Sequence, residues 1–66
     1  MQVAFHGRDY NCTIEVDEGT TIRQALETAN ILPSTVVVSY DERILPHNTV
    51  LQADVKLLVT TVSSGG

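Results

Sequence analysis

Only one stretch of this chain has helical spacing, and that scarcity constrains the fold more than any other feature. Ile22, Ala25, Leu26 and Ala29 fall at i, i+3, i+4 and i+7, which makes one apolar stripe on a short helix. Such a stripe must be buried against another layer, and the rest of the sequence offers strands. Met1, Val3 and Phe5 alternate with Gln2, Ala4 and His6, and Tyr10, Cys12, Ile14 and Val16 alternate with Asn11, Thr13 and Glu15. A period of two is the signature of a half-buried strand. Gly7-Arg8-Asp9 between the runs reads as a turn, with glycine available for positive φ. The two runs are therefore predicted to form a β-hairpin.

Asp17-Glu18-Gly19-Thr20-Thr21 breaks the alternation and starts the helix. Thr21 with Gln24 is a capping-box pair, and the two acids are expected near the positive end of the helix dipole. Asn30 is a suitable C-terminal stop, and Pro33 prevents continuation. Val36 to Tyr40 is the strongest β-run. Asp41-Glu42 is a tight turn, Arg43-Ile44-Leu45 a short return strand, and Pro46 its close. His47 to Asp54 reads as a loop in which Val50 and Leu51 tuck beneath the body. The last strand, Val55 to about Thr61, is apolar on both parities, which suits a central position; it is expected to lie parallel to the first strand. The fold class is α+β, with one helix across one face of a mixed sheet of four or five strands.

Sixty-six residues make one domain. A domain of about 60 residues buries only ~60% of its unfolded surface, which leaves no room for a deep internal active site. The single cysteine excludes an internal disulfide framework and a cysteine-based metal site within one chain. A small domain without disulfides fits a reducing cytoplasm. Met1 leads straight into a strand pattern rather than a secretory leader, and no apolar run approaches the ~20 residues needed to cross a bilayer. The net charge is −4, four Lys or Arg against eight Asp or Glu. Such a surface repels polyanions, so nucleic acid is a poor partner and a basic protein surface a better one.

The chain finishes on Ser63-Ser64-Gly65-Gly66. Paired glycines usually mark a turn, yet here nothing follows them. Residues 63–66 are expected to form a flexible tail on a body comprising residues 1–62. Without Cβ atoms, Gly65 and Gly66 can enter a channel too narrow for other residues. The competing reading is an ordinary frayed terminus.

Taken together, hairpin, helix, return hairpin, last strand and Gly-Gly end resemble the β-grasp, or ubiquitin-like, proteins. Among these the chain is most similar to the short prokaryotic sulfur carriers: the thiamine-biosynthesis carrier, the small subunit of molybdopterin synthase and the related small archaeal modifiers. The resemblance rests on Thr21-Ile22 through Leu26, Val36 through Pro46, Ala53-Asp54-Val55 and Ser64-Gly65-Gly66. Two departures concern turns. Asp41-Glu42 stands where the family usually carries glycine or Asn-Gly, and Ala53-Asp54 where it usually carries Gly-Asp.

A carboxylate is a poor acyl donor until it is activated, and this chain has no phosphate-binding glycine loop with which to hold ATP. The resemblance implies that an E1-like adenylating partner supplies ATP, Mg²⁺ and any catalytic cysteine. Gly66 would be adenylated and then thiocarboxylated for a sulfur-accepting synthase, or joined to lysines of target proteins. A side chain at Gly65 or Gly66 would disturb the in-line geometry, while Ser63 and Ser64 would extend a polar reach into the partner. For recognition of the body, Ala4, Val37, Leu58 and Thr60 are predicted to share the sheet face away from the helix, as an apolar docking patch. Cys12 shares parity with Ile14 and Val16 and is expected to behave as a small buried hydrophobe. His6 and His47 lack partners at ligand spacing, so no metal site is expected. Lys56 is the only lysine, which leaves it and the amino terminus as the acceptors for any chain of linked copies.

Overall fold

A computed structural model describes residues 1–62. The two alternating runs form β1 (Gln2–His6) and β2 (Asn11–Glu15), paired antiparallel with Phe5 opposite Cys12. The hairpin is closed at its other end by Met1 and Val16. The amino group of Met1 donates to the Val16 carbonyl, and the Val16 N–H donates to the Met1 carbonyl, both at 2.9 Å. Gly7 in the connecting turn is required less by its φ of 159° than by space. A Cβ there would fall on the carbonyl oxygen of Val59, whose carbonyl carbon would lie at 3.3 Å.

Helix α1 spans Ile22–Thr28. The Gln24 N–H donates to Thr21 Oγ1 (3.2 Å) and the Thr21 N–H donates to Gln24 Oε1 (3.0 Å), completing the predicted capping box. Two more N–H groups of the first turn find acceptors in the loop beneath. Ile22 donates to the Thr49 carbonyl and Arg23 to the His47 carbonyl, so donors that a helix start leaves unpaired are satisfied. The acids fall elsewhere than expected. None occupies the first turn of the helix, and Asp17 and Glu18 lie in the preceding turn, where the Asp17 carbonyl accepts from Thr20. At the other end Asn30 adopts the left-handed region (φ 64°). Its N–H donates to Glu27 and that of Ile31 to Leu26, a Schellman closure in which buried Ile31 and Leu26 supply the accompanying apolar pair.

A 3-10 turn, Pro33–Thr35, leads into β3 (Val36–Tyr40), followed by β4 (Arg43–Leu45) and β5 (Val55–Thr61). The five strands form one sheet in the order β2-β1-β5-β3-β4. β5 is central, parallel to β1 and antiparallel to β3, as its apolar character predicts. Among the described residues its second face is nonetheless uncovered, because the helix covers only one. The core lies between helix and sheet: Ile22, Ala25 and Leu26 meet Val3, Phe5, Val36, Val38, Leu57 and Val59. The loop before β5 contributes Leu51, which is buried, whereas Val50 stays about half exposed as the partner of Thr21 in an isolated bridge. Only one of the two residues expected to tuck in therefore does so. Successive residues of an extended segment point opposite ways, and one must face out. The Asp54 Oδ1 accepts from the Gln2 N–H at 2.8 Å, fastening the start of β5 to the start of β1.

Candidate functional site

The expected site begins where β5 leaves the sheet. β1 pairs with it as far as Leu58 and β3 as far as Thr61. One residue further, the Val62 N–H donates to the Thr35 carbonyl at 2.9 Å. The Thr35 N–H (3.1 Å) and hydroxyl (2.8 Å) both donate to the Leu32 carbonyl. The last described residue is thus tied by backbone to the turn that follows the helix. Ser63, Ser64, Gly65 and Gly66 lie outside the described residues.

The four residues expected on the open sheet face all have the parity of that face. Their neighbours along β1, β3 and β5 (Val3, Phe5, Val36, Val38, Leu57 and Val59) are buried beneath the helix. Thr60 stands opposite Val37, and Leu58 is flanked by His6 on β1 and Ser39 on β3. Leu58, Thr60 and Val37 are therefore contiguous at the tail end of the face. Ala4 lies opposite Lys56, one step further from the tail and diagonal to Leu58. With strands ~4.8 Å apart, that separates it from Val37.

The register also shows a residue that pattern reading missed. Ile44 is 73% exposed, on the same face and in the same row as Leu58, through Ser39, which pairs with both. Its opposite parity to half-buried Leu45 was the available signal, but three residues do not reveal a face until the register is known. Leu58, at 39% exposure, and Ile44 thus bracket Ser39 in an apolar strip across β5, β3 and β4.

The other candidates are dispersed. Cys12 is half-buried and packs against the core beside Phe5. His6 lies on the open face, while the backbone of His47 supports the helix start. Among the described residues no group of three or more His, Cys, Asp or Glu side chains is gathered to hold a metal ion. Lys56 is exposed on the open face, and the amino terminus is engaged with Val16. No helix of the described residues is long and apolar enough to cross a membrane.

A mixed sheet in this order, grasping one helix, is the fold of a ubiquitin-like β-grasp protein. The ThiS family model matches residues 3–66, and the chain belongs to that family of small sulfur carriers. Its members are carriers rather than catalysts, and they generally work with E1-like enzymes and sulfur-accepting synthases. A comparison with curated proteins finds no match.

Proposed function

We propose that Gly66 is the reacting residue of this carrier. An E1-like enzyme would hold the ATP and Mg²⁺. An oxygen of the Gly66 carboxylate attacks the α-phosphorus and pyrophosphate leaves, giving an acyl-adenylate. A sulfur donor then displaces AMP and leaves a thiocarboxylate, which delivers sulfur in thiamine, molybdopterin or tRNA thiolation in the cytoplasm. The supporting observation is the mounting. The central strand is held by β1 as far as Leu58 and by β3 as far as Thr61, Val62 is tied to the Thr35 carbonyl, and Ser63, Ser64, Gly65 and Gly66 follow. A body built this way acts as a handle while chemistry takes place at a distance from the core. On the same reading Leu58, Thr60, Val37 and Ala4 form the docking face, extended by Ile44, and Ser63 and Ser64 line the partner's channel.

Intact-mass measurement after incubation with the adenylating enzyme, ATP and a sulfur donor tests the proposal. One oxygen-to-sulfur exchange confined to Gly66 is expected, and it is lost when Gly66 is deleted. An unchanged mass in a mixture that loads a known carrier refutes the proposal. Gly-Gly remnants on lysines of other proteins would instead show that the same acyl-adenylate is captured by amines, making the chain a modifier.

A further inference from the structure

We propose that Leu32 and Val62 form an apolar collar around the root of the tail, which seals the pocket mouth of the activating enzyme against water; this rests on the reaction proposed above. Leu32 is 68% exposed, far more than Leu58 on the open face. It belongs to no strand and lies on the helix side, beside a shallow hollow of about 210 Å³ whose lining includes Glu27 and Pro33. The fold has already used its neighbour: Ile31 turns into the core to close the helix. Leu32 is then directed outward on a backbone that cannot relax, because its carbonyl accepts twice from Thr35 and Pro33 follows it. A side chain presented on a fixed backbone loses little freedom on docking. The backbone of Val62, whose side chain is 44% exposed, is tied to that of Leu32 through Thr35, which accepts from Val62 and donates to Leu32.

The occupant follows from the reaction proposed at Gly66. Only four residues separate Val62 from the reacting carboxylate. An enzyme that engages Gly66 must bring its pocket mouth within about 14 Å of Val62. A standard interface covers ~800 Å² per partner, so one centred on this root includes Leu32. The tail itself has no apolar side chain and excludes water poorly. Once the acyl-adenylate has formed, water adding at its acyl carbon would release AMP and regenerate the carboxylate without product. An apolar rim on the enzyme, closed over Leu32 and Val62, keeps that water out.

The test compares Leu32→Ser, Val62→Ser and Leu58→Ser with the unaltered chain, using ATP–pyrophosphate exchange and the ratio of AMP released to thiocarboxylate formed. Leu32→Ser is expected to keep the thermal midpoint, raise KM about tenfold and raise AMP release per product, with Val62→Ser acting in the same direction. Leu58→Ser is expected to raise KM with the ratio unchanged. Wild-type KM and coupling in Leu32→Ser would overturn the collar and leave the carrier function standing. Absence of exchange with the unaltered chain would overturn both.

Discussion

Asp41 and Glu42 both adopt left-handed backbone, at φ 52° and 66°. Tyr40 and Arg43 pair on either side of them, which is the geometry of a two-residue hairpin turn that favours Asn-Gly. Aspartate tolerates this region, whereas glutamate has no short polar group to compensate for its Cβ and incurs about 1–2 kcal/mol. Glycine at 42 removes that cost but gives back ~0.5–1 kcal/mol through the greater freedom of the unfolded chain. Glu42 is exposed, so its side chain takes little burial with it. Glu42→Gly should therefore stabilise the domain by about 0.5–1 kcal/mol, raising the midpoint by about 3–6 °C in a chain of this size. Far-UV circular dichroism in thermal and urea denaturation measures this, with the urea slope expected to stay constant. Asp41→Gly, the control, should gain less. The turn lies at the opposite end of the sheet from Val62, since β3 starts beside Thr61 and runs away from it, so sulfur loading should be untouched. A midpoint unchanged or lowered by Glu42→Gly would refute the strain argument.

Three further outcomes are expected. Gly7→Ala drives a methyl group into the Val59 carbonyl and should destabilise by about 1–3 kcal/mol, read as a lower urea midpoint. Thr21→Ala removes one half of the capping box and should lower stability by about 1 kcal/mol, with Thr21→Ser restoring most of it. Leu58→Asp should leave the thermal midpoint within a few degrees, yet weaken carrier binding to the activating enzyme about ten- to thirtyfold in titration calorimetry; Ala4→Asp, further from the tail, should weaken it less.

Much of this architecture was legible because the signals are local. Thr21 and Gln24 announce the helix start wherever the chain goes afterwards, and Asn30 announces its stop because few other residues accept a left-handed backbone. The alternation in β1 and β2 marks inside and outside with no knowledge of a partner strand. The acids at 17 and 18 were less informative, since the dipole acts only over the first turn and they precede the N-cap Thr21 by four and three residues. The functional reading came from the resemblance, in which Ser64-Gly65-Gly66 is one stretch among four.

What the chain determined by itself was its inventory: five extended segments, one capped helix, two tight turns and an end of small residues. Whether Ile44 stands beside Leu58, whether Ala4 keeps company with Val37, and which of Val50 and Leu51 enters the core were decided only by assembly. Parity is a property of one strand, but adjacency depends on the register between segments distant in sequence. That register is chosen by the packing of the whole core against the helix, which leaves the other face of the sheet, with Leu58 and Ile44, open to solvent.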